Sequence, residues 1–158
     1  MSNETSIAQQ SANKEVDFED LEFVKIRIPQ NVRFIPTSLI ESVKGNLYTP
    51  EKFYRYQEKQ IDNPGNLLYV LLDKEKKVWG YLWAELSQFD DTLFINTFSI
   101  DKKYWFAGKA IPKVIQFLDK LRSKYNCPRV FWITTNDKFF AKNGFKRSKN
   151  VLMEYQSL

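Results

Sequence analysis

The stretch Thr92-Leu93-Phe94-Ile95-Asn96-Thr97-Phe98-Ser99-Ile100 is apolar and rich in β-formers, and Asp101-Lys102-Lys103-Tyr104-Trp105-Phe106-Ala107-Gly108-Lys109 follows it. Beyond that loop Ile111, Val114, Ile115, Leu118 and Leu121 recur at three- and four-residue intervals, which places them on one helix face. A strand therefore feeds a long amphipathic helix through a small-residue loop. The first turn of a helix leaves backbone N–H donors without intrahelical partners, and with the helix dipole they suit an anion, above all a phosphate. Gly108 and Ala110 carry little side chain, so a ligand can approach the backbone there. Two readings of the loop stand side by side: a phosphate cradle, or a plain βα connection with a glycine at the helix start.

Toward the N-terminus, Val78 to Leu86 reads as a strand with Val78, Gly80, Leu82 and Ala84 on one side and Trp79, Tyr81, Trp83 and Glu85 on the other. A charged loop, Asp73 to Lys77, joins it to the apolar strand Leu67 to Leu72, so an antiparallel meander leads into residues 92–100. Asp62-Asn63-Pro64-Gly65-Asn66 is a turn. Residues 36–44 and 50–61 read as helices, the second opened by a Thr49 cap with Pro50 at the first helical position. Phe53, Tyr54, Tyr56 and Gln57 form its stripe, expected to be core. Val24 to Ile28 alternates and reads as the first strand, closed by Pro29. Residues 1–18 show no apolar period and are expected to form a disordered acidic tail, leaving 19–158 as a single domain.

Toward the C-terminus, the helix stops near Tyr125, and Arg129 to Thr134 reads as a strand. Reaching it through a helix makes it parallel to residues 92–100. Asn136 can cap a short helix over 137–142 that ends at Asn143-Gly144, and Phe145 to Gln156 supply one or two final strands. The fold class is α/β (α+β): a mixed, mostly antiparallel central sheet with helices on both faces.

Composition narrows the chemistry. The chain has 158 residues, 43% of them hydrophobic, one cysteine and no histidine. Ser-His and Cys-His nucleophile pairs and histidine metal sites are thereby excluded, and no metal is expected. Residues 1–20 hold one lysine against five acids, net −4; residues 101–158 hold thirteen Lys and Arg against four acids, net +9. A basic C-terminal part attracts a polyphosphate, a nucleic acid or an acidic protein, and also describes an ordinary solvated face. With no apolar membrane span, no signal pattern and no cysteine pair, a cytoplasmic setting is the expectation.

The order βααβββαβαβ resembles the GNAT acyltransferase superfamily. Trp105-Phe106-Ala107-Gly108-Lys109-Ala110 has the spacing of that family's acyl-CoA pyrophosphate loop, with the Gly-x-Ala end intact and Trp105 where Gln or Arg is usual. Phe139-Phe140-Ala141-Lys142-Asn143-Gly144-Phe145-Lys146-Arg147 is similar to its short helix running into a Gly-Phe strand start. The resemblance covers about residues 21–156. It implies acetyl-CoA as the cofactor, its pantetheine arm on residues 92–100 up to Ile100 and its pyrophosphate on the amides of Phe106, Ala107, Gly108, Lys109 and Ala110. Lys109 and Lys113 would reach phosphates and Asn136 would touch the arm.

Acyl transfer to an amine needs an oriented thioester, a route for the amine's proton and often an acid for the leaving thiolate. The family's usual tyrosine falls at Phe140 here, which cannot donate, so Tyr104 on the loop is the candidate acid. Glu85, the acid inside a central strand, is the candidate base, in surroundings expected to raise a carboxyl pKa. Ser99 and Asn96 can orient a water. The function expected is an acyl-CoA-dependent N-acyltransferase acting on an unidentified amine. Trp105 and Phe140 keep open a catalytically silent binding or structural subunit, with the acidic tail or basic face as a protein contact, and the basic C-terminal part a nucleic-acid-associated protein. A composition heavy in Lys, Asn, Phe and Tyr fits an AT-rich genome, and proteins of this resemblance occur in phages, which makes a host-cytoplasmic or virion-associated part a further expectation.

Overall fold

The computed structural model describes residues 17–43, 48–87, 91–104, 110–132 and 137–148. Its elements run β1 (Glu22–Lys25), a 3-10 segment (Pro29–Phe34), α1 (Thr37–Glu41), α2 (Pro50–Gln60), β2 (Asn66–Leu72), β3 (Val78–Ser87) and β4 (Thr92–Ile100). They continue through α3 (Ala110–Lys124), β5 (Arg129–Trp132) and α4 (Asp137–Lys142), with short 3-10 turns at Phe18–Asp20 and Lys102–Tyr104. The described strands form one sheet in the order β1-β2-β3-β4-β5; the first four are antiparallel, and β5 lies parallel to β4. The expected mixed sheet, with a helix crossover before its parallel strand, is the fold.

Local signals explain the elements. The Thr49 hydroxyl accepts from Lys52 N at 3.2 Å and Pro50 fills the first turn, so α2 starts where its cap puts it. After α3, Asn126 adopts φ 54°, a left-handed turn that asparagine tolerates, and the chain turns into β5. α4 ends with Gly144 at φ 88°, with Phe145 N donating to Phe140 O at 3.1 Å in a Schellman-type stop.

Helices cover both faces. Ile35, Leu39, Ile40, Phe53 and Tyr54 pack on Leu68, Val70 and Tyr81 beneath α1 and α2. Val114, Leu118 and Leu121 of α3 pack on Leu67, Tyr69, Leu82, Leu93 and Ile95 on the opposite face. Each fully buried Leu or Val here contributes about 1.5–3 kcal/mol of burial free energy.

Two one-residue bulges depart from simple alternation. Between the pairs Leu71↔Gly80 and Leu72↔Val78, Trp79 is the extra residue of β3. Val78 consequently joins the α1/α2 face, and Trp79 packs with Phe18 and Tyr104 on the other, the reverse of the expected pattern. In β4, Trp83 pairs with Thr97 but Ala84 with Ile95, which leaves Asn96 as the extra residue. Leu93 and Ile95 therefore face α3, whereas Thr97 and Ser99 reach Tyr48 and α1 on the opposite face.

Other corrections are smaller. β1 is displaced toward the N-terminus from 24–28: Phe23 stacks on Phe117 at 4.0 Å, while Ile28, at the entry to the proline-started 3-10 segment, is 51% exposed. Phe18, placed in the tail by its sequence, is buried with Leu21, Ile100, Tyr104 and Ala110. Phe145 folds back onto Phe140 and Trp132, and residues 145–148 form no strand. The rest of the expected terminal strands, like residues 1–16, lies outside the described residues.

Candidate functional site

Glu85 stands exposed near the end of β3, on the α1/α2 face, paired in register with Asn66 of β2 and Phe94 of β4. Asn96 Nδ2 donates to its Oε1 at 2.6 Å. The bulge makes this contact, because the extra residue re-aims the asparagine amide at the neighbouring strand. A hydrogen bond of that length to a carboxylate is charge-assisted and orients the group.

Aromatic and amide groups surround the carboxylate. The Tyr56 and Trp83 rings lie 5.6 Å apart, and Tyr56 is 42% exposed, correcting its assignment to the core. Burial first, and then the Glu85 charge, hold the Tyr56 phenol above its ordinary pKa. Trp83 Nε1 donates to Asn66 Oδ1 at 2.8 Å, and Asn66 Nδ2 donates to Gln57 Oε1 at 2.9 Å. Gln57 and Asn66 are buried, so this chain fixes the floor beneath the two rings. Tyr56, Asn63, Gly65, Asn66, Glu85 and Leu86 line an open pocket of about 320 Å³.

The remaining candidate residues are described in part. Ser99 is buried; its hydroxyl donates to Leu39 O at 2.7 Å and lies 3.1 Å from Ser42 Oγ, tying β4 to α1 instead of holding a water. Tyr104 is 4% exposed, edge-on to Phe18 and Trp79 at 5.3 and 5.8 Å, an aromatic packing position rather than an acid open to a ligand. Lys113, expected on phosphates, instead donates to the carbonyls of Phe18 at 3.1 Å and Glu19 at 3.0 Å. Burial lowers its pKa against the opposing pull of Asp20, Glu19, Glu22 and Asp17. Ile100 and Ala110 are both buried at the two ends of the βα connection. Phe106, Ala107, Gly108, Lys109 and Asn136 lie outside the described residues, so the cradle expected there is a matter for proposal.

Asn66, Trp83 and Tyr56 were not legible as one cluster. Tyr56 and Gln57 belong to an apolar-looking helix stripe, and only the β2–β3 register carries Asn66 to Glu85. The Asn66-Trp83 pair had no signal of its own, since neither residue stands in a motif.

No family model matches the chain, and no curated relative matches it. Solved structures do. A possible acetyltransferase from Clostridium difficile superposes with TM-score 0.69 at 14% identity, over 87% of this chain and 98% of that one. A mutant spermidine N-acetyltransferase from Vibrio cholerae gives 0.68 at 15%, over 87% and 86%. An aminoglycoside antibiotic 6'-N-acetyltransferase from Acinetobacter baumannii gives 0.65 at 11%, over 87% and 99%. The chain has the fold of the GNAT N-acetyltransferases, in a sequence far diverged from these three. Among the described residues no helix is long and apolar enough to cross a membrane.

Proposed function

We propose that this chain is an acyl-CoA-dependent N-acyltransferase that moves the acetyl group of acetyl-CoA to an amine, with Glu85 at the acceptor end of the site. The observation that carries the reading is the fold: a parallel β4–β5 pair joined through α3, with the β4 bulge at Asn96 beside a carboxylate. Glu85 and Asn96 sit where β4 is irregular, on the face opposite α3.

When bound, acetyl-CoA supplies the activated acyl group as a thioester. Ile100, Ala110, the amides of Phe106 to Lys109 and Asn136 are assigned to hold it. Lys113 is left to the N-terminal segment. The reaction forms a nitrogen–carbon bond and breaks the carbon–sulfur bond. The amine's proton passes to Glu85, directly or through one water, and the thiolate leaves with a proton from solvent. Asn96 holds the carboxylate in orientation, and Trp83 and Tyr56 flank the approaching amine. Ser99 and Tyr104 keep structural roles.

The test is kinetic. Glu85→Gln should lower kcat by about 10²-fold or more while leaving acetyl-CoA affinity nearly unchanged. An unchanged kcat would remove Glu85 from the proton path.

A further inference from the structure

Five exposed lysines stand on two loops at one end of the sheet: Lys74, Lys76 and Lys77 on the β2–β3 hairpin, and Lys102 and Lys103 after β4. Asp101 N donates to Trp79 O at 2.8 Å and joins the two loops. Trp79 collects a lysine from each, with Lys77 Nζ 4.0 Å and Lys103 Nζ 5.0 Å from its ring centre.

The acids of the same loops are bound into the backbone. The Asp73 carboxylate is buried and accepts from Glu75 N, Lys77 N and Trp79 Nε1, each at 2.9 Å. Asp101 Oδ1 accepts from Lys103 N at 3.0 Å, which leaves Glu75 as the fully exposed acid. None of the five ammonium groups forms an ion pair among the described residues. The acidic turn at Phe18–Asp20 borders this end through Phe18 and Tyr104, but its charges gather on Lys113. Lys76 adopts φ 67°, a conformation that glycine or asparagine usually fills. The hairpin thus carries a charge at a position where a lysine is strained.

Unpaired lysines on a hydrogen-bonded frame suit a polyanion, and the side chains around them select which. Protein interfaces draw their affinity from aromatic, apolar and arginine anchors and are poor in lysine. The exposed large apolar residues, Val24, Ile28, Phe34, Tyr56 and Phe94, stand on other elements, so these loops offer no anchor for a protein and no wedge for a membrane. Stacking of single-stranded bases needs a free ring, whereas Trp79 is engaged by two lysines and by Tyr104 at 5.8 Å, and Tyr104 is buried. The phosphates of a duplex require only point charges, which lysine supplies.

We propose that this lysine surface binds the phosphodiester backbone of a nucleic-acid duplex without reading its sequence. The interaction is separate from acyl transfer and needs no cofactor.

The experiment is fluorescence anisotropy of the full chain with labelled duplex DNA of about 20 base pairs, in two unrelated sequences. The expected result is micromolar binding, equal for both sequences, that weakens by about 10²-fold between about 50 and about 200 mM salt. The combined change Lys74→Gln, Lys76→Gln and Lys77→Gln should weaken binding at low salt by about tenfold or more and reduce the slope of log K against log salt by about 2–3. Lys120→Gln with Lys124→Gln, on exposed positions of α3, should leave both nearly unchanged. Thermal melts establish that the variants fold. No binding at low salt, or equal weakening by the α3 pair, overturns the proposal. Binding of polyglutamate or of phosphatidylserine vesicles as tight as that of DNA overturns it in favour of an acidic protein or a membrane. A parallel titration with acetyl-CoA separates the two phosphate sources: unchanged affinity in the hairpin variant supports the duplex surface, and a parallel loss gives these lysines to the cofactor and overturns it.

Discussion

At residue 85 one carboxylate is oriented by one amide, and the amide is in reach because a strand carries one residue too many. Glu85 is visible in the sequence as the acid inside a central strand, but its partner is not. A bulge changes neither the apolar pattern nor the strand length enough to be read, so strict alternation misplaces Thr97, Ser99, Val78 and Trp79 alike. Ser99 shows the converse. Its position beside the expected cofactor strand suggested chemistry, yet the bulge turns it onto α1, where it bonds the Leu39 carbonyl. Ser99→Ala should therefore destabilise the fold by about 1 kcal/mol in urea denaturation, without a comparable loss of kcat. Gly80 leaves no room for a side chain against β4: a Cβ would lie 2.8 Å from the backbone oxygen of Ser99. Gly80→Ala should cost about 1–3 kcal/mol by the same measurement, because backbone must shift to admit a methyl group.

Among the elements, those with strong periodicity and a chemical start signal are the legible ones. α2 has its threonine cap and proline, α3 its apolar face, and α4 spans 137–142 as its asparagine and glycine punctuation indicates. The 3-10 segment at Pro29–Phe34 and the docking of Phe18 depend on tertiary contacts and leave no pattern. Lys113 belongs with them: its ammonium closes on the carbonyls of residues 18 and 19, which lie 95 and 94 positions away in the chain, so spacing along α3 says nothing about it. The β2–β3 hairpin carries a pH prediction. Burial pushes the Asp73 carboxyl pKa up, but hydrogen bonds from Trp79, Lys77 N and Glu75 N, each at 2.9 Å, outweigh it and hold the group below its ordinary range. A carboxyl with a depressed folded-state pKa adds stability that is complete above the unfolded-state value, about 3.9, and is lost as pH falls through the folded value. Asp73→Asn should lower stability by about 1–2 kcal/mol at neutral pH and flatten the acid limb below about pH 4. Denaturation midpoints measured across that limb check it.

For the whole molecule, the sheet order and the parallel last pair follow from counting elements, since a strand reached through a helix has one sensible direction. Layering follows too, because α1 and α2 precede the meander and α3 crosses behind it. The pocket beside Glu85 does not follow: it is assembled from a helix, a turn and two strands that only the finished fold brings together. Charge is likewise a property of the assembled molecule. The acidic residues nearest Phe18 gather around Lys113, so part of the basic C-terminal excess is answered within the chain.

The central claim is that this fold binds acetyl-CoA at the connection between β4 and α3, and calorimetric titration of the full chain with acetyl-CoA tests it most directly. The account predicts saturable binding with a dissociation constant in roughly the micromolar range, abolished by Gly108→Glu, which fills the loop and adds like charge. No heat at millimolar cofactor, or the same affinity in the Gly108→Glu variant, would contradict it.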